Sequence, residues 1–284
     1  MLKANYWIQA ARPQTLVASL APVICSSFLC YKYYQFNFLI FFLTVLSAVL
    51  IQIMTNFIND LYDFKKGTDK ENRLGPDRMV QKGFISENEI KNAILLLLLL
   101  SVFTGLYLVI IGGWIILVIG LSSFLFAYLY TATKFSIAYN GLGEVFVFLY
   151  FGLIAAIGTA YLQTHSYLFD SLVIGCIFGF LNMSLLIINN LRDVNEDRKN
   201  NKKTLIVFFG KKFGFLELFI ALTVPIVIYL SFIDDFVYSS ISLLMFALYI
   251  LISCYKSKKF IINSALPISS FYIVFFTIIL MYNL

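Results

Sequence analysis

Two short acidic segments carry the chemistry of this sequence. The first reads Asn56-x-x-Asn59-Asp60-x-x-Asp63, with Asp69 following, and the second reads Asn189-Asn190-x-Arg192-Asp193-x-x-x-Asp197. On a helix, Asn56, Asp60 and Asp63 fall at i, i+4 and i+7, and Asn189, Asp193 and Asp197 at i, i+4 and i+8, so each set shares one face. Two carboxylate faces that converge make a site for a divalent cation. Hard oxygen donors favour Mg²⁺, which keeps several waters and shares its remaining positions with phosphate. The predicted chemistry is the handling of a diphosphate with Mg²⁺ as cofactor.

The elements that must position these carboxylates are membrane helices. The chain is 61% hydrophobic, 18% aromatic and only 13% charged. Apolar runs near the length needed to cross a bilayer recur at about 14–33, 38–59, 93–111, 114–133, 144–162, 169–190, 214–232, 237–255 and 264–283. The fold class is therefore all-α: a polytopic integral membrane protein with about nine transmembrane helices in a bundle. The first run, preceded by Lys3 and Arg12, looks like a signal peptide, but eight more spans and the lack of a small-residue cleavage site favour a retained helix. The acidic segments open the two longest polar stretches, 60–92 and 191–213, at the ends of two spans. Carboxylates at the mouth of a membrane helix are costly and mark function.

With the N-terminus in the cytoplasm, every lysine and arginine except Lys32 falls on the cytoplasmic side. Both acidic segments then lie in the cytoplasm, and the C-terminus lies outside. The net charge of +6 reflects this topology and attraction for anionic lipid or substrate, not nucleic acid. Cys25, Cys30, Cys176 and Cys254 fall within spans without a C-x-x-C pair and are expected to pack as small apolar residues. His165, the single histidine, falls in an external loop away from the carboxylates. The chain reads as one domain over 1–284, and the four spans between Asp60 and Asp193 suggest a parallel repeat of four helices plus four, with a ninth at the end.

The stretch from Asp63 to Arg78 mixes carboxylates with Lys65, Lys66, Lys70, Arg73 and Arg78, and Gly75-Pro76 sets a turn within it. Arginine there suits the phosphate oxygens that a metal leaves free. No Walker-type G-x-x-x-x-G-K-[ST] is present, so a nucleoside triphosphate is not indicated.

Together with Tyr130-Thr131-Ala132-Thr133-Lys134 between spans 4 and 5, the two acidic segments resemble those of the UbiA-type intramembrane prenyltransferases. Several further motifs resemble one branch, the polyprenyltransferases acting on 1,4-dihydroxy-2-naphthoate. These are Arg12-Pro13-x-Thr15, Asn59-Asp60-x-x-Asp63-x-x-x-Gly67-x-Asp69, Arg73-x-Gly75-Pro76-x-Arg78, Gly141-Leu142-Gly143-Glu144, Asn189-Asn190-Leu191-Arg192-Asp193 and Lys203-Thr204-Leu205. The sequence departs from that pattern at Asn201 and Lys202, where a glycine is common.

The resemblance implies transfer of a polyprenyl group from polyprenyl diphosphate to 1,4-dihydroxy-2-naphthoate with loss of its carboxyl group. The product would be demethylmenaquinone, made in menaquinone biosynthesis at the bacterial cytoplasmic (inner) membrane. It implies Asp60, Asp63, Asp193 and Asp197 as Mg²⁺ ligands, Asp69 joining them, with Asn56, Asn59, Asn189 and Asn190 beside them. Arg78, Arg192 and Lys134 would contact the diphosphate, and Tyr130 would orient Lys134 or face the allylic cation. Arg12 is a further substrate-binding candidate. Glu144 either meets the acceptor's hydroxyls or is a helix-start carboxylate favoured by the dipole. Membrane lipid surrounds the site and supplies the prenyl substrate. Three other readings remain: a prenyltransferase for another aromatic acid such as 4-hydroxybenzoate, a secondary transporter, and a membrane scaffold.

Overall fold

The computed structural model describes residues 2–67, 77–133, 136–233, 237–255 and 259–284. Asp69 and Lys134 lie outside the described residues. Every regular element among those described is helical: α1 Leu2–Ala11, α2 Pro13–Tyr33, α3 Phe38–Lys65, α4 Glu87–Thr131, a 3₁₀ turn Ile137–Tyr139, α5 Gly143–Phe148, a π-helical turn Leu149–Ile154, α6 Ala155–Thr164, α7 Phe169–Lys199, α8 Leu205–Phe209, α9 Lys211–Phe232, α10 Val237–Tyr255 and α11 Lys259–Asn283.

The helix starts follow local chemistry. Pro13 opens α2, where a missing N–H costs nothing. Asn37 caps α3 by accepting from the Leu39 and Ile40 amides. Ser86 and Glu89 form a reciprocal capping box at α4.

Eight helical stretches among the described residues are long and apolar enough to cross a membrane, and the protein is an integral membrane protein. One of them is two spans in a single element. The 45 residues of α4 break at Gly113, whose φ of 67° and ψ of −156° suit glycine alone. The chain folds back there. Lys65 meets Glu87, Tyr62 meets Tyr128, and Asn59 meets Thr131, all at one end of α3. Leu108 and Ile116, on either side of Gly113, cluster with Ile40 at the other end of α3. Counting both limbs of α4 gives nine crossings among the described residues, as the apolar runs predict.

The core is built around α7. Ile174, Ile177, Phe178, Leu181, Ile187 and Ile188 are fully buried in a core that α7 forms with α2, α9 and α11. The π-helical turn approaches α7 so closely that a methyl on Gly152 would stand 2.5 Å from the Gly175 carbonyl oxygen and 2.5 Å from Gly179 Cα. Small residues allow such backbone contact between membrane helices. Cys25, Cys30 and Cys254 are buried free thiols and Cys176 is half-buried, consistent with packing roles.

Two α-helices have no counterpart among the apolar runs. Helix α1 lies against the site end of α3: Trp7 packs on Phe57, and Tyr6 stacks on Phe84 with centroids 4.3 Å apart. Helix α8 is a single short element capped by Thr204. Helices α3 and α7 also run past the expected span ends at 59 and 190, to Lys65 and Lys199, so the acidic pairs stand on helix rather than in loops.

Candidate active site

The last turns of α3 and α7 face one cavity of about 580 Å³. Its polar end is lined by Asp63, Arg78, Arg192, Asp193 and Asp197, with Arg12, Asn56, Asn59, Asn189 and Asn190 alongside. Tyr130 and Glu144 line it as well. Asp60 stands back from the cavity: it is buried and accepts a hydrogen bond from the Met79 amide at 3.1 Å. That contact ties the chain after the acidic segment to the helix that carries it.

Three carboxylates at the polar end, Asp63, Asp193 and Asp197, are each matched with a cation. Arg78 donates to Asp63 Oδ2 at 2.5 Å. Arg192 grips Asp193 with two bonds, Nε to Oδ1 and Nη2 to Oδ2, both 2.7 Å. Lys202 lies 3.3 Å from both oxygens of Asp197. Lys202, one of the two residues at which the sequence departs from the pattern it resembles, thus supplies the third cation. Opposite charges held close in a partly desolvated mouth interact strongly, and together they neutralise a site that would otherwise repel its own carboxylates.

The asparagines do varied work. Asn56 donates to the Ala11 carbonyl at 2.8 Å and to Thr15 Oγ1 at 3.0 Å, fixing the corner where Arg12 adopts a left-handed φ of 50°. Asn59 accepts from Thr131 at 2.7 Å, joining α3 to the end of α4. Asn190 donates to Glu144 Oε1 at 2.8 Å, holding a buried carboxylate at the start of α5. Asn189 donates to its own helix at Leu185 O.

Tyr139 is a site residue that spacing did not reveal. Its hydroxyl donates to Asp63 Oδ1 at 3.0 Å, and its carbonyl accepts from the Lys203 amide at 2.9 Å. Its ring lies under Lys66 Nζ at 4.2 Å and near Lys202 Nζ at 5.8 Å. Lys66 also donates to Thr133 O and Ser136 Oγ, at 2.9 and 3.0 Å. Burial lowers the Lys66 pKa from its ordinary value, while the charge of Asp63 opposes that shift.

The deeper cavity wall is apolar and aromatic. Phe126, Phe146 and Tyr150 line it as a cluster, with Phe126 centroids 4.7 Å from Phe146 and 5.2 Å from Tyr150. Among the described residues no three His, Cys, Asp or Glu side chains form a ready-made metal cage. The donor set is nevertheless oxygen-only and split between two helix ends, which suits a cation held by one or two carboxylates and sharing the rest with phosphate.

Residues 19–281 match the model of the UbiA prenyltransferase family. The 1,4-dihydroxy-2-naphthoate octaprenyltransferase of Haemophilus influenzae is 38% identical over 240 residues, covering 81% of this chain and 77% of that protein. Its namesake from Escherichia coli is 36% identical over 215 residues, covering 74% and 70%. Among solved structures, a UbiA homologue from Archaeoglobus fulgidus bound to GPP and Mg²⁺ superposes with a TM-score of 0.67 at 18% identity, covering 98% of this chain and 99% of that one. The chain belongs to the UbiA prenyltransferase family.

Proposed function

We propose that the protein transfers a polyprenyl group from polyprenyl diphosphate to 1,4-dihydroxy-2-naphthoate with decarboxylation, forming demethylmenaquinol, the reduced form of demethylmenaquinone, in menaquinone biosynthesis. The carrying observation is one cavity with matched carboxylates and cations at its polar end and an aromatic wall below. The names of the relatives that share most of the chain support the acceptor.

The residues divide by chemistry. Asp63, Asp193 and Asp197, with Asp60 behind and Asp69 beyond the described residues, would hold Mg²⁺, which when bound neutralises charge on the departing diphosphate. Arg78, Arg192 and Lys134 contact phosphate oxygens, and Lys202 stands ready on the same side. The bond from prenyl C1 to oxygen breaks, and the diphosphate leaves with its electron pair. The electron-rich ring forms the new carbon–carbon bond. Loss of CO₂ restores aromaticity, so no dedicated general base is required. Tyr130 and the Phe126, Phe146 and Tyr150 rings present π faces to the developing allylic cation. The apolar wall keeps water from it. In this reading the site end, the N-terminus and the loops near 60–92 and 191–213 are cytoplasmic, and the C-terminus is outside.

The test is a membrane assay that offers 1,4-dihydroxy-2-naphthoate and 4-hydroxybenzoate together with one polyprenyl diphosphate, read by mass spectrometry. The expected product is the prenylated, decarboxylated naphthoquinol alone. EDTA should stop its formation and added Mg²⁺ restore it, and Asp193→Asn should abolish it. Turnover that survives EDTA removes the metal from the scheme, and prenylation of the benzoate alone removes the naphthoate.

A further inference from the structure

Lys66 ties the end of α3 to the segment that follows α4. It is the C-cap of α3, one turn after Asp63, so the two side chains share a face of that helix. Its ammonium donates to Thr133 O at 2.9 Å, just past α4, and to Ser136 Oγ at 3.0 Å. The same nitrogen stands 4.2 Å from the centroid of the Tyr139 ring. Ser136 is fully buried and is the N-cap of the 3₁₀ turn that ends at Tyr139. Its carbonyl accepts from the Tyr139 amide at 3.0 Å and from Asn140 Nδ2 at 2.8 Å. Lys66 therefore holds this turn at its cap and again over the ring of its last residue.

These contacts close a circuit. Asp63 Oδ1 accepts from the Tyr139 hydroxyl at 3.0 Å, while Asp63 Oδ2 faces Arg78. Both oxygens of that carboxylate are oriented by the protein, one of them by a tyrosine whose own place depends on Lys66. A lysine suits the task, because a compact ammonium can donate to two oxygens and still present its charge to a π face. Lys66 is an exposed residue, yet burial lowers its pKa from the ordinary value. Its ammonium is thus partly withdrawn from water, and its contacts are screened less than those of a fully solvated lysine.

We propose that Lys66 is a positioning residue for metal binding: it fixes Tyr139, and through the Tyr139 hydroxyl it aims the Asp63 carboxylate at Mg²⁺, without itself touching metal or substrate. This rests on the reading of Asp63 as a Mg²⁺ ligand and adds the residue that sets its direction. The influence passes from Lys66 to Tyr139 to Asp63, so removing the hydroxyl in the middle silences the lysine at the start.

Mn²⁺ binding to the purified full chain in detergent, read by electron paramagnetic resonance with no substrate present, tests this chain of contacts apart from turnover. Lys66→Met should weaken Mn²⁺ binding about 5-fold, as expected for loss of one supporting hydrogen-bonded group. Lys66→Arg keeps two donors and a charge for the ring, and should come within about 2-fold of the wild type. Tyr139→Phe should weaken binding about 10-fold, and adding Lys66→Met to it should change nothing further, because the two act as one unit. If the double variant instead loses the full Lys66→Met factor again, the proposal is overturned. It is overturned equally if Lys66→Met unfolds at a lower temperature but binds Mn²⁺ as the wild type does, since Lys66 is then a staple alone. Geranyl diphosphate binding without metal should be the same in Lys66→Met and the wild type. A loss there makes Lys66 a phosphate contact and sinks the positioning role. Asp63→Asn separates this proposal from the reading beneath it. Mn²⁺ binding that is absent from the wild type, or unchanged in Asp63→Asn, removes Asp63 from the metal and the proposal with it. A loss in Asp63→Asn with none in Lys66→Met removes the proposal and leaves the ligand in place.

Discussion

The hydroxyl of Tyr139 lies 3.0 Å from Oδ1 of Asp63. The same tyrosine accepts at its carbonyl from the Lys203 amide, just beyond the second acidic segment, and its ring lies near the lysine that pairs with Asp197. One residue thus spans both acidic segments and sets Asp63 relative to α7. A hydrogen bond to a charged group contributes about 1.5–3 kcal/mol. Tyr139→Phe, which keeps the ring and removes the donor, should raise the Mg²⁺ concentration for half-maximal activity by roughly 10-fold. The protein's Mg²⁺-dependent thermal stabilisation in detergent should weaken in parallel. An unchanged Mg²⁺ titration would leave Tyr139 as packing only.

Arg78 and Asp63 form a buried pair, and removing one partner strands the other charge at a cost of about 3–5 kcal/mol. Arg78→Met should lower the thermal unfolding temperature and abolish transfer. Adding Asp63→Asn to it should recover much of the stability and none of the activity. Thermal unfolding and turnover measured on the same preparations separate the two effects. Full recovery of both would mean that the pair is structural alone.

Gly152→Ala puts a methyl where the Gly175 carbonyl and Gly179 Cα already stand, each 2.5 Å away. Helix α7 must shift to admit it, and overpacking of this kind costs about 1–3 kcal/mol. The expected result is a lower unfolding temperature together with reduced turnover, because α7 carries Asp193 and Asp197. A variant with wild-type unfolding would show that the two helices have slack.

Topology has a direct measurement. In a background without the four native cysteines, His165→Cys should react with an impermeant thiol reagent from outside intact cells. Lys199→Cys, exposed on the last turn of α7, should react only after permeabilisation. The reverse pattern inverts the proposed orientation.

The spans were legible because each is a long apolar run with at most one charged residue, of a length fixed by the bilayer, and family membership sets aside the transporter and scaffold readings. The carboxylate faces were legible because i, i+4 spacing on a helix survives any detail of packing. Helix α1 was not, since Tyr6, Trp7 and Ala10 become a buried face only once Phe57 and Phe84 are beside them. Tyr139 and Lys202 were missed as site residues for a similar reason. Each is a lone side chain in a connecting segment, and Tyr139 reaches a partner 76 positions away in the chain.

The reversal at Gly113 also fixes the parity of everything after it. The chain turns back there at a residue whose φ of 67° another side chain adopts only under strain, with no polar loop to hold the turn at the membrane surface. Were the two limbs of α4 to run on as a single crossing, every later helix would traverse the bilayer in the opposite sense. The carboxylates of α7 would then open on the face opposite to those of α3, and no rearrangement of side chains would bring the two halves of the site back together.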